Sequence, residues 1–505
     1  MFKNFHGFSL LNEHQERKQQ KKRENANLWI SKVIKLAVIV AATLTIWLLP
    51  TEAFGIEGLS AVEQRIIGIF VFATLMWVLE PVPAWTTSLV VVVLLLLMAS
   101  DSCLWFMRST DASVELGQLI KYKSIMQCFA DPIIMLFIGG FILAIAATKS
   151  GLDVTLARVM LRPFGTQSRF VLLGFLMVTA CFSMFISNTA TAAMMLTFLA
   201  PVLKALPADG KGKIGLALAI PVAANVGGIG TPIGTPPNAI ALKYLCDPEG
   251  LGMDMGFGEW MAFMLPFALV LLFISWVILL RLFPFKQKTI VLNIEGQHEK
   301  SWRTIVVYVT FAVTVLLWLS DKVTGVNANA VAMIPVAVFC VTGIITRRDL
   351  EEINWSVLWM VAGGFALGVA LNESGLAKHI IASIPFHTWP PIAILIGSGL
   401  LCYAMANFIS HTATAALLVP ILAIAGISMR EQLISYGGVQ TLLIGVALSS
   451  SLAMVLPIST PPNALAHASG LIRMRDMEKV GLLIGGIGLV LGYLMLVVLG
   501  SNGLL

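Results

Sequence analysis

The sequence predicts an all-α polytopic membrane protein. Three observations carry that expectation. Of the 505 residues, 58% are apolar and 12% are charged, where a soluble domain carries about 25% charged residues. Mean hydropathy is +0.88. Apolar runs of roughly 20 residues recur along the whole length, each long enough to cross a ~30 Å hydrocarbon core. A disordered chain, a disulfide-stapled scaffold and a collagen-like fibre are excluded. So is a transmembrane barrel, whose strands would be ~10 residues of alternating pattern.

Apolar periodicity places simple spans at 33–50, 65–79, 85–100, 131–148, 260–283, 302–319, 328–346, 355–372 and 480–499. Four regions are not simple spans. Two read apolar-polar-apolar, at 170–206 and 392–428. Two are long but broken by Gly and Pro, at 214–245 and 438–472. The first run begins too late in the chain for an ordinary secretory signal and is kept as a span.

Much of the net charge of +6 sits at the start of the chain, in Lys3, Arg17, Lys18, Lys21, Lys22, Arg23, Lys32 and Lys35. A basic tail beside a span is a cytoplasmic flank, not a nucleic-acid arm. The expected partner is the lipid bilayer, with no nucleic acid. The six cysteines form no CxxC pair and read as small core residues.

Lys/Arg bias orients the spans. Loop 51–64 holds Glu52, Glu57 and Glu63 without a cation, so it faces out. Segment 149–169 holds Lys149, Arg158, Arg162 and Arg169 and faces in, as does 204–213 with Lys204, Lys211 and Lys213. Segment 243–259 sets Asp247, Glu249, Asp254 and Glu259 against Lys243 and faces out. Segments 281–303, 347–348 and 473–479 are basic and face in. The alternation closes on one condition. Regions 170–206 and 392–428 must each enter and return on one side, as re-entrant helical hairpins. Regions 214–245 and 438–472 must each cross once. That makes about 11 transmembrane helices, with the N-terminus cytoplasmic and the C-terminus outside.

The halves match at a shift of 223–225 residues. Gly139-Gly140-Phe141 returns as Gly363-Gly364-Phe365, and Ser150-Gly151-Leu152 as Ser374-Gly375-Leu376. Ser187-Asn188-Thr189-Ala190-Thr191 returns as Ser410-His411-Thr412-Ala413-Thr414, and Thr235-Pro236-Pro237-Asn238 as Thr460-Pro461-Pro462-Asn463. On the charge map the Gly-Gly-Phe helix runs inward in one half and outward in the other, so the repeat is inverted. Inverted repeats with interrupted helices at matching positions mark secondary transporters, and the interruptions point to the binding site.

The chemistry of the interruptions agrees. Irregular backbone at membrane depth is tolerated only where protein buries it or where it lines a wet cavity. Freed carbonyls with Ser, Thr and Asn oxygens are hard ligands that suit Na⁺. Each hairpin's second arm begins at its tip, and its first N–H groups favour an anion. No Lys or Arg lies in either tip or either break. Bound cations are then the source of the positive charge a dianion needs. Serine and threonine also glue membrane helices together, but four motifs paired across a repeat favour the functional reading.

These residues resemble those of the divalent-anion/sodium symporter family, which moves dicarboxylates, tricarboxylates or sulfate. The resemblance covers roughly residues 33–500. It implies a homodimer whose protomers have a scaffold domain and a transport domain that moves as an elevator. The scaffold would be 33–130 and 251–350, after a cytoplasmic tail 1–32. Transport elements would lie in 131–250 and 351–505, the latter ending in helix 480–499. The first Na⁺ site would use Ser187, Asn188, Gly234 and the backbone of Ser183. The second would use Ser410, His411, Ser459 and the backbone of Ala406. Substrate carboxylates would meet Asn188, Thr189, His411, Thr412 and the turns at Thr235 and Pro461.

His411 departs from the pattern, because carboxylate-transporting members carry Asn there. Imidazole is a poorer Na⁺ ligand than an amide oxygen and can change charge near pH 6.5. It either takes part in the second site or only hydrogen-bonds neighbouring backbone. Glu80 reads as a cap at a span end. His467 lines the cavity or faces the bundle. No Walker motif, Ser-His-Asp set, HExxH or dinucleotide fingerprint occurs, so an enzyme or ATP-driven pump is not expected. The expectation is a cytoplasmic (inner) membrane transporter importing C4-dicarboxylates such as succinate, malate or fumarate with Na⁺. Alternatives are a dicarboxylate exchanger, a sulfate or citrate transporter, and, in another class, an ion channel or a transport-dead receptor.

Overall fold

The computed structural model describes residues 29–56, 58–108, 115–206, 210–247, 251–290, 301–383 and 388–505. Most of the basic tail lies outside them. Among the described residues the regular structure is helical, with two isolated bridges and no strand.

The first half runs α1 (Trp29–Leu48), α2 (Ala61–Leu79), α3 (Ala84–Met98), α4 (Pro132–Lys149), α5 (Leu152–Leu161), α6 (Ser168–Ser183), α7 (Asn188–Ala205), α8 (Gly212–Gly228) and α9 (Pro236–Cys246). The second half runs α10 (Phe257–Leu282), α11 (Trp302–Leu319), α12 (Ala328–Val341), α13 (Trp355–Glu373), α14 (Leu376–Ser383), α15 (Pro391–Phe408), α16 (His411–Ser428), α17 (Gly438–Ser451), α18 (Pro461–Ala468) and α19 (Met474–Ser501). Among the described residues nine helices are long and apolar enough to cross a membrane. Two of them, α15 and α16, are the arms of the second apolar-polar-apolar region. Two expected spans come out shorter. Helix α3 has 15 residues, about 22 Å of helix. Helix α12 stops at Val341, where Gly343 takes a left-handed φ of 65° and turns the chain.

Helix ends expose carbonyls that need partners, and side chains of α2 supply several. Gln64 Nε2 donates to Ile46 O (2.9 Å) and Leu49 O (2.5 Å) at the end of α1. Arg65 Nη1 donates to Met98 O (3.0 Å) at the end of α3. Helix α2 starts with a reciprocal Ser60–Glu63 capping box. It ends at Glu80, whose φ of 44° is the one positive value at a non-glycine residue among those described. Burial pushes the Glu80 carboxyl above its usual range, against the pull of Lys35.

Helices meet through small residues, as membrane packing requires. One such close approach is α6 on α8. A Cβ on Gly227 would lie 2.5 Å from Ala180 Cα, so only glycine allows it. The halves interlock reciprocally. Helix α9 of the first packs on α16 and α17 of the second, while α18 of the second packs on α7 and α8 of the first.

Segments that charge bias assigns to one side also meet one another. In the set assigned inside, Ser168 Oγ donates to Gln287 O (2.6 Å). Lys149 pairs with Asp349 at 2.7 Å. Burial opposes the Asp349 charge, but Lys149 and Thr346 outweigh it and hold the carboxyl at about 2. In the set assigned outside, Lys243 pairs with Asp131 at 2.5 Å and Lys322 with Asp254 at 2.8 Å. His379 meets Glu63 at 2.7 Å. Asp131, Lys243, Asp254, Asp321, Lys322 and Glu373 share a cavity of about 1060 Å³.

Candidate functional site

The first apolar-polar-apolar region is α6, a turn at 184–187, and α7. Ser187 caps α7 by accepting from Ala190 N at 3.3 Å. The second is α15, a turn at 409–410, and α16. Ser410 caps α16 by accepting from Ala413 N at 3.2 Å. A capping serine stops helix propagation and starts a new axis, so each tip is encoded locally. The first two N–H groups of each new helix, at Asn188 and Thr189 and at His411 and Thr412, have no intrahelical acceptor.

The broken crossings are built differently. Helix α8 ends at Gly228 and α9 starts after Thr235. Helix α17 ends at Ser451 and α18 starts after Thr460. Both new helices open on two prolines, at 236–237 and 461–462, so neither offers an N–H at its first two positions. One asparagine then holds each break. Asn238 Nδ2 donates to Gly228 O (3.0 Å), Ile229 O (3.3 Å) and Thr231 O (2.8 Å). Asn463 Nδ2 donates to Met454 O (2.8 Å) and Leu456 O (3.0 Å). Those carbonyls correspond, at the 225-residue shift, to Ile229 and Thr231.

In the first half, Ser183, Asn188 and Gly234 come together, Ser183 through its hydroxyl and not through the backbone that the resemblance implies. The amide atom of Asn188 that points into the break lies 2.6 Å from Ser183 Oγ, 3.0 Å from Gly234 O and 3.3 Å from Ala224 O. All three neighbours are oxygens. With nothing else among them, the amide satisfies them as its NH₂. Turned over, it contributes a fourth oxygen. Thr231 Oγ1 donates to Met184 O and accepts from Gly234 N at 3.0 Å, tying the break to the tip. Gly228 and Gly234 face each other so closely that a Cβ on Gly234 would sit 2.4 Å from Gly228 O.

The second half carries His411 where the first has Asn188. His411 is buried, and its Nε2 donates to Ala453 O at 2.6 Å. Ala453 corresponds to Gly228, whose carbonyl the asparagine of the first break holds. The imidazole has taken over that carbonyl. Ser459 Oγ donates to Leu456 O (2.6 Å) and accepts from Asn463 Nδ2 (3.3 Å). Ala406 is fully buried in the last turn of α15. Thr235 and Thr412 are buried, Ser187, Asn188 and Thr189 half-buried, and Pro461 exposed. His467 Nδ1 meets Ile472 O at 3.0 Å, a contact with its own turn. The cavity of about 1060 Å³ does not touch the tips.

Sequence reasoning missed Ala224, Asn225, Asn407 and Ser450. Asn407 Oδ1 accepts from Val455 N at 2.9 Å, and Ser450 Oγ donates to His411 O at 2.8 Å. Asn225 was visible as a lone amide in an apolar helix, three residues before the break.

The family described as "Sodium:sulfate symporter transmembrane region" matches residues 30–502. The chain belongs to that family. As a member it is a Na⁺-coupled anion transporter and not an enzyme, and Na⁺ is its co-transported ion. Similar curated proteins include the sodium-dependent dicarboxylate transporter SdcS of Staphylococcus aureus strains USA300 and MRSA252. Each is 29% identical over 482 residues, covering 86% of this chain and 87% of the relative. A solved structure, the YdaH transporter of Alcanivorax borkumensis, shares the fold with a TM-score of 0.54. It is 14% identical and covers 76% of this chain and 88% of its own.

Proposed function

We propose that this symporter imports a C4-dicarboxylate dianion (succinate, malate or fumarate) with Na⁺ across the cytoplasmic membrane. The carrying observation is the all-oxygen set around Asn188, at the N-terminus of α7, which can receive an anion without a Lys or Arg. Na⁺ sits among Ser183, Ser187, Asn188, Gly234 and the Ala224 carbonyl. A second, weaker site involves Ala406, Ser410, His411 and Ser459. The substrate carboxylates lie against Asn188, Thr189, Thr235, His411, Thr412 and Pro461. The likeness to a sodium-dependent dicarboxylate transporter supports this choice of anion.

In this reading α6–α7 and α15–α16 are re-entrant hairpins of an inverted repeat. With the broken crossings they form a transport domain that moves as an elevator against a scaffold, in a homodimer. The N-terminus is cytoplasmic and the C-terminus outside. Purified protein in proteoliposomes should take up labelled succinate under an inward Na⁺ gradient and should fail with choline. Equal rates in the two cations would favour exchange and sink the symport reading.

His411 sharpens the test. Its ring consumes the Ala453 carbonyl and leaves the second site one cation ligand short. His411→Asn should therefore lower the half-saturating Na⁺ concentration several-fold, with transport retained. An unchanged Na⁺ dependence would make the imidazole a spacer.

A further inference from the structure

Asn225 lies on α8, three residues before the first break, and is 1% exposed. Its side chain does not serve that break. Asn225 Nδ2 crosses to the other half, 3.3 Å from Thr460 Oγ1 and 3.2 Å from Asn463 Oδ1. Thr460 Oγ1 is the cap of α18, accepting from Asn463 N at 3.2 Å. Asn463 is the amide that holds the second break's carbonyls. By taking the Asn463 oxygen, Asn225 fixes which way that amide faces and keeps its NH₂ on Met454 O and Leu456 O.

The preceding residue serves the first set of oxygens. Ala224 O accepts from Ser183 Oγ at 2.7 Å and borders the Asn188 amide. Two consecutive residues of one helical turn thus touch both sites, one by its carbonyl and one by its side chain. A cation drawing on Ala224 O would pull on the peptide that carries Asn225, whose side chain contacts Asn463 directly. The counterpart of Asn225 at the repeat shift is Ser450, whose hydroxyl stays in its own half on His411 O. The bridge therefore runs one way. Asn225 Oδ1 is itself buried without a partner among the described residues. An orphaned acceptor is unfavourable in a dry interior, and an apolar residue of the same size would fill the space without it. Its donor is what the position requires.

We propose that Asn225 is a positioning residue that couples the two breaks, so that Na⁺ at one set of ligands raises affinity at the other. Coupling of this kind is reciprocal and commonly corresponds to 5–150-fold in affinity. The inference rests on the Na⁺-symport reading above. The test is Na⁺-dependent succinate uptake in proteoliposomes by wild type, Asn225→Leu and Asn225→Ser, with Na⁺-dependent thermal stabilisation in detergent as a transport-independent measure. Wild type should show a Na⁺ Hill coefficient above 1. Asn225→Leu should bring it to about 1 and raise half-saturating Na⁺ about 5–10-fold. Its succinate KM at saturating Na⁺ should stay within about twofold. Asn225→Ser, which keeps a hydroxyl donor, should fall between. If Asn225→Leu does not fold, the Ser variant carries the same comparison through its thermal shift. An unchanged Hill coefficient in the variants, with uptake intact or uniformly reduced, overturns the coupling and leaves a packing role. Wild type with a Hill coefficient of 1 overturns it too. Wild type indifferent to Na⁺ overturns the symport reading as well.

Discussion

Asn188→Ala should lower Na⁺-driven succinate uptake by about 100-fold or more while leaving the protein folded and membrane-inserted. The side-chain amide can present either an NH₂ or an oxygen to the first oxygen set. Removing it deletes one cation ligand. It also leaves Ser183 Oγ, Gly234 O and Ala224 O facing one another. Loss of one buried hydrogen-bonding partner costs about 1–3 kcal/mol. At about 1.4 kcal/mol per tenfold, that loss and the missing ligand together reach two orders of magnitude. Asn188→Asp separates the two contributions, because it restores an inward oxygen but never an inward NH₂. Wild-type uptake by Asn188→Ala, at equal protein and equal Na⁺, would remove the residue from the site.

The second large effect is steric. Gly234→Ala places a methyl 2.4 Å from Gly228 O and 2.9 Å from Gly228 Cα, and both obstacles are backbone. No rotamer relieves that contact. The break must open, and the Gly234 carbonyl leaves the oxygen set. Overpacking of this kind costs about 1–3 kcal/mol, so Gly234→Ala should lose uptake and melt several degrees lower. Gly140→Ala is the control, since its nearest neighbour is a flexible Ile233 methyl at 3.7 Å. If both variants melt and transport alike, the close approach of the two glycines is not a requirement of the site.

Most of the architecture was legible because its signals are local. Two-proline openings, capping serines and runs of apolar residues each dictate backbone within a few positions. Four helices start at Asn188, His411, Pro236 and Pro461. What stayed hidden depends on partners far along the chain. Asn225 could be seen as polar, but its bond spans 235 residues to Thr460, and no periodicity reports such a pairing. The ambiguity at His411 had the same origin. Whether an imidazole meets a cation or a carbonyl depends on where residue 453 lies, and spacing alone does not reveal that. The short length of α3 was hidden too, because a run of apolar residues says how long a helix is allowed to be and not where packing lets it end.

The paired prolines have an electrical consequence. Helices α9 and α18 offer no backbone N–H at their first two positions, whereas α7 and α16 open with backbone donors at the tips. The backbone therefore sorts cargo by sign without placing a formal charge on any side chain of the tips or breaks. Once its cargo has left, the site is neutral. A membrane potential does work of about 2.3 kcal/mol per elementary charge per 100 mV, and an emptied site of this kind gives it nothing to push on. In the proposed transport cycle, voltage would then act on the loaded passage according to the sum of Na⁺ and anion charges and not on the unloaded return.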